Sequence, residues 1–166
     1  DKAGDLNFST VKGNLSLAYA KSLNEYGDQY LTVGYTAGIA RRGVDYSRIE
    51  SFDLEPLAGL RDNFSFLDMG AGLTWYMVPS KGTFYYLGVA MDHILEPNQA
   101  FDPDDPDPLM RKYVVHGGMQ VRAGENFFIQ PSLFYANQGP HNEITAGSYF
   151  KLRFDDVSSY QPETSI

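Results

Sequence analysis

Seven stretches of this chain alternate large apolar residues with small or polar ones. A period of two is the signature of a strand with two different faces, and an amphipathic helix cannot produce it. In the first stretch Leu15, Leu17 and Tyr19 fall on one face, and Asn14, Ser16, Ala18 and Ala20 on the other. The second sets Leu31, Val33, Tyr35, Ala37 and Ile39 against Thr32, Gly34, Thr36 and Gly38. The fifth is the clearest. Tyr113, Val115, Met119 and Val121 face one way; Lys112, His116, Gln120 and Arg122 face the other.

The pattern predicts strands at about 13–23, 29–41, 63–78, 82–93, 111–123, 126–137 and 142–155. Several reach about 10–12 residues, enough to cross a bilayer at a tilt, whereas strands of soluble proteins more often run to about 5–6.

The connectors supply the second constraint. Asn24 to Asp28, Pro79 to Gly82 and Gly124-Glu125 are short, 42–62 and 94–110 are long, and Asn137 to His141 is intermediate. In an up-and-down sheet, alternate connectors lie at opposite ends. One end therefore holds tight turns and the other the long loops, as in outer-membrane barrels. The expected fold class is all-β: an antiparallel up-and-down transmembrane β-barrel, or a fragment of one, with about 7–8 strands. Such barrels carry even strand numbers from about eight upward. Seven strands thus point to part of a larger barrel, or to a short extra strand hidden between Ile49 and Leu60. Residues 1–156 read as the barrel domain, and 157–166 as a polar tail.

Composition agrees. The 166 residues include 12 Tyr, 11 Phe and 16 Gly, which suits aromatic walls beside glycines that admit bulky neighbours. A net charge of −8 argues against binding nucleic acid through its phosphates, which calls for a basic patch. There is no cysteine, hence no disulfide framework. No apolar run is long enough for a membrane helix, and no secretory leader opens the sequence, which starts like a mature or truncated chain.

Aromatics gather near strand ends: Tyr19, Tyr26, Tyr30, Trp75, Tyr76, Phe84, Tyr85, Tyr86, Tyr113, Phe127, Phe128, Tyr135, Tyr149 and Phe150. They read as interfacial girdles or as the rim of an ordinary β-core. The small-residue face, with Gly34, Gly38, Gly70, Gly72 and the pair Gly117-Gly118, indicates a narrow or plugged interior, or a tight barrel corner.

Chemistry-bearing candidates are few. Asp92 and His93 are adjacent, and on a strand they point to opposite faces, so they read as a loop anchor rather than an acid–base pair. His116 invites comparison with Ser132. Pairing outward from a turn at 124–125 sets residue 116 near 133 and turns Ser132 to the other face. Asp102, Asp104, Asp105 and Asp107 are a weak calcium candidate, lacking the glycine turn and distal glutamate of a calcium loop. Arg111 and Lys112 follow and can pair with them. No catalytic residue, resident metal or cofactor is expected.

One ordered series is more specific. Phe66-Leu67-Asp68-Met69-Gly70-Ala71-Gly72-Leu73-Thr74-Trp75-Tyr76 is followed by Phe84-Tyr85-Tyr86-Leu87-Gly88-Val89-Ala90-Met91-Asp92-His93-Ile94-Leu95-Glu96-Pro97. Arg111-Lys112-Tyr113-Val114-Val115-His116-Gly117-Gly118 and Gln130-Pro131-Ser132-Leu133-Phe134 come next. The series resembles the PorP/SprF family of outer-membrane proteins of Bacteroidetes, over most of residues 10–155. It departs at Met91-Asp92, where the family favours a Ser or Val and a small polar residue before the histidine, and it lacks flanking strands. The resemblance implies a non-enzymatic outer-membrane component of type IX secretion or gliding motility. Its implied partners are lipid, other components of that apparatus, and a secreted adhesin or its C-terminal sorting domain. Asp92, His93, Pro97, Arg111 and Tyr113, flanking the second long loop, are the candidate partner contacts. The alternatives are a passive outer-membrane channel, a barrel-embedded enzyme, and a soluble lipocalin-like or β-sandwich binding protein. Alternation alone does not say which face points inward.

Overall fold

A computed structural model describes residues 2–3, 8–44 and 59–154. Its strands are β1 (Lys2–Ala3), β2 (Phe8–Ser22), β3 (Gln29–Gly43), β4 (Asn63–Ser80), β5 (Thr83–Asp92), β6 (Lys112–Arg122), β7 (Phe127–Gln138) and β8 (His141–Leu152). All join one antiparallel sheet, in chain order. The seven long strands are those the periodicity predicts. β2 starts earlier, at Phe8 rather than near 13, because its pairing with β3 continues to Ser9 opposite Gly43. Among the described residues a short eighth strand, β1, pairs Lys2 with Ser9 and is too short to show a period. Most of the segment Ile49 to Leu60 lies outside the described residues, as does the 157–166 tail.

Register carries faces from strand to strand. Thr32 aligns with Thr74, then Gly88, His116, Phe134 and Thr145. Leu31 aligns with Trp75, then Leu87, Gly117 and Leu133. Every buried residue of β2 to β8 lies on the first of these faces: Ala40, Asp68, Gly70, Gly88, Gln120, Phe128 and Ala136. A single sheet that buries one face with no second layer must curl around it. The apolar face is outside. Leu15 is 69% exposed, Leu67 60% and Leu133 55%. A lipocalin or sandwich would have buried these residues, so the soluble alternative is not what the chain builds. An exposed apolar band this continuous marks a membrane-facing surface.

The glycines of the inner face give room to side chains from the next strand. A Cβ on Gly38 would come within 2.5 Å of the Gly13 carbonyl and strike the Asn14 side chain. At Gly88, it would meet the His116 ring, whose Cε1 is 2.7 Å away. The small-residue rows thus carry cross-strand polar groups rather than an open pore wall.

The aromatic girdles need correction. Trp75, Tyr85, Phe127 and Phe150 are on the outer face near the short turns, with Phe127 stacked on Phe150 at 6.1 Å. Tyr113 and Tyr135 are on the same face nearer the long loops. Phe127 and Tyr135 are separated by about 20 Å along the barrel axis, close to the height of an apolar band. Tyr30, Tyr76, Phe84, Tyr86, Phe128 and Tyr149 point inward instead. Tyr76–Phe84 and Tyr86–His116 centroids are 5.8 Å apart, and Phe84–Tyr86 6.4 Å, forming an aromatic row inside the wall.

Candidate functional site

The inner face at the long-loop end is built around Asp68, only 6% exposed on β4. Buried carboxylates need partners, because desolvation penalises an unpaired charge severely. Lys12 of β2 supplies one, its Nζ 2.6 Å from Oδ2. His93 supplies the other, with Nδ1 at 3.0 Å from Oδ1 and 3.1 Å from Oδ2. A carboxylate only accepts, so Nδ1 carries the proton in this pair.

His93 reaches Asp68 through an unusual backbone. Its φ is 58°, a left-handed conformation that is costly for a residue with a side chain. β5 ends at Asp92, so strand alternation no longer governs the next residue. Asp92 and His93 were expected on opposite faces. They line one pocket of about 260 Å³, together with Lys12, Asn14, Thr36, Asp68 and Gly70.

From His93 the chain enters the long loop, which is ordered by its own bonds. The Ile94 amide donates to the Met69 carbonyl at 3.0 Å, and Glu96 N–H returns to the His93 carbonyl at 3.0 Å. Arg111 clamps the neck. Its guanidinium donates to the Ile94 carbonyl at 3.3 Å and pairs with Glu96 at 3.1 Å. Leu109 N–H meets the Pro97 carbonyl at 2.9 Å. The far half crosses to the start of β2. Arg42 donates to the Gln99 backbone and side-chain oxygens at 3.0 and 3.1 Å, and its guanidinium lies 5.5 Å from the Phe101 ring. That ring packs edge-on against Phe64 at 5.1 Å and Phe8 at 5.8 Å. The Arg61 amide closes the contact on the Phe101 carbonyl at 2.9 Å. The loop is therefore a strap from β5 across β4 and β3 to β2.

The sequence candidates are placed unequally. Asp92, His93, Pro97 and Arg111 converge on the strap's root. Tyr113 does not join them: it pairs with Met91 and Asn137 on the outer, apolar face. The acidic run does not capture Arg111, which Glu96 holds. Asp102 instead accepts from the Asp104 amide at 2.9 Å. Among the described residues, no three His, Asp or Glu side chains gather as metal ligands. Ser132 is also relocated. The hairpin closes at Ala123 opposite Phe127, through the three-residue loop Gly124-Glu125-Asn126. The extra loop residue puts Phe134 opposite His116 and returns Ser132 to the His116 face, opposite Gly118. His116 leans away from it, over Gly88 on β5.

Removing the Phe101 ring should loosen the strap without unfolding the wall. In Phe101→Ala, amide exchange at Arg61 and Gln99 should accelerate by about tenfold, since aromatic pairs contribute about 0.5–1.5 kcal/mol each. Exchange in β4 should not change. Unchanged rates at Arg61 would show that the ring does not hold the strap.

An antiparallel up-and-down wall, apolar outside and polar inside, with one end strapped by a long loop, defines a membrane β-barrel component. The chain belongs to the PorP/SprF family of type IX secretion system membrane proteins, whose family model matches residues 1–166. Comparison with curated proteins and with solved structures returns no match.

Proposed function

We propose that this chain forms wall strands of an outer-membrane barrel in the type IX secretion or gliding apparatus. It acts without catalysis. It helps secrete adhesins or hold them at the cell surface, and it connects them to periplasmic components. The outward apolar face carries this reading, because it makes the strands a lipid-embedded wall; family membership supplies the apparatus. By loop length, the strapped end faces outside and the tight turns face the periplasm. A cargo protein or surface partner grips the strap, whose root is held by Asp92, His93, Pro97 and Arg111. Tyr113 sits below it, at the lipid boundary. The inner aromatic row and the strap disfavour a passive channel.

The test uses the full-length natural protein with an affinity tag. Extraction only with detergent, heat-modifiable gel mobility, and co-purification of other secretion components are the expected results. Alanine at Pro97 and Arg111 should reduce the captured cargo at least several-fold. A monodisperse protein in plain buffer would overturn the membrane role. Unchanged capture by the variants would overturn the strap as the gripping surface.

A further inference from the structure

The three ion pairs among the described residues, Lys12–Asp68, His93–Asp68 and Arg111–Glu96, all lie at the strapped end. The short-turn end is electrostatically different. Phe128 of β7 is buried, with 4% exposure. Its register neighbours on the inner face are Arg122 of β6 and Lys151 of β8. Lys151 Nζ is 5.9 Å from the ring centroid, and the Arg153 guanidinium is 5.7 Å from it. Arg122 donates to the Gly124 and Glu125 carbonyls at 2.9 and 2.7 Å, bonds that hold the turn but neutralise no charge. Two cations thus converge on one ring, and a third stands opposite it in register, none with a carboxylate partner among the described residues.

Like charges held together repel, and a ring quadrupole offsets little of that for cations in water. An anion relieves it. Lipid headgroups are poorly placed to do so, because the lipid side of these strands is the other face, with Phe127, Ile129, Phe150 and Leu152. Lys151 and Arg153 are two residues apart, and that repeat along an extended chain is about 7 Å. Carboxylates on alternate residues of an extended peptide share the same repeat.

We propose that Lys151, Arg153 and Arg122, around Phe128, form a docking site for an acidic, extended segment of a periplasmic protein. The site rests on the proposed outer-membrane role with the short turns in the periplasm. Lys151 and Arg153 bind the carboxylates; Arg122 adds field and keeps the turn in shape.

The test uses the full-length protein in nanodiscs and a fluorescent eight-residue peptide alternating Glu and Ser. The native protein should bind it, and affinity should fall at least tenfold between low and physiological salt. The same peptide with Gln for Glu should not bind. The double variant Lys151→Glu, Arg153→Glu should lose at least tenfold in affinity while keeping heat-modifiable mobility. Lys151→Gln, Arg153→Gln serves if charge reversal prevents insertion. Equal binding by native and variant would overturn the site. So would loss of binding in phosphatidylglycerol nanodiscs relative to phosphatidylcholine, which would make it a headgroup site. Binding that appears only after Asp155→Asn, Asp156→Asn would show that the chain's own acids occupy it. A native chain without heat-modifiable mobility would sink the membrane role itself, a separate failure.

Discussion

Asp68→Ala should destabilise the wall by about 2–3 kcal/mol. Removing one member of a buried ion pair strands the others, and such losses reach about 3–5 kcal/mol when the pair is fully enclosed. The lower figure applies here because the Lys12 side chain is 40% exposed, so water takes over part of its solvation. His93 loses more. It holds a left-handed backbone at φ 58°, and without the carboxylate its ring no longer helps to offset that strain. The strap's root should therefore loosen together with the wall. The measurement is the urea midpoint of gel-mobility unfolding in detergent, with exchange at the Ile94 amide read in parallel. A triple replacement, Lys12→Met, Asp68→Leu and His93→Leu, should recover part of the lost stability, since apolar groups of similar volume can replace a buried ionic cluster. An unchanged midpoint in Asp68→Ala would mean that the cluster is decoration.

The second large effect separates the two faces. Leu73 and Thr74 are neighbours on β4, one outward and one inward. Leu73→Arg puts a guanidinium into the hydrocarbon band, at a cost of about 2–4 kcal/mol near the bilayer midplane. Thr74→Arg puts the same group into the inner hollow lined by Ser16, Thr32, Thr36, Thr74 and Asp92, about 270 Å³ in volume. It should insert nearly as well as the native chain. Folding yield into liposomes, read as heat-modifiable band, distinguishes them. The opposite order, Thr74→Arg failing and Leu73→Arg tolerated, would turn the wall inside out.

Much of this was legible before any coordinates. Period-two alternation located every long strand among the described residues, and the sorting of connectors by length placed the loops at one end. The family resemblance rested on an ordered series that runs through β4 to β7. The residues that escaped did so for physical reasons. Alternation fixes relative faces only, so Leu15 outward and Ala40 inward needed the curl of the sheet. Ser132 was misassigned because one residue of hairpin loop, Asn126, inverts parity. His93 left its strand face at a single dihedral angle, which no pattern announces. Tyr76 was grouped with Trp75 by proximity, although counting by twos from Gly70 and Gly72 turns it inward. Asp68 and Lys12 carried a readable signal, each a lone charge on a face of small polar residues. Arg42 and Phe101 carried none, since their meeting depends on where a long loop lands.

Strand order equal to chain order has a further meaning for how such a wall changes over time. Among the described strands, each pairs only with its neighbours in the chain, and the strap adds contacts across the mouth without changing that order. A duplicated or deleted hairpin at either flank therefore leaves every remaining pairing intact. It alters the circumference by about 10 Å, two inter-strand spacings. The unit of inheritance in this architecture is the hairpin, and girth is its freely adjustable trait.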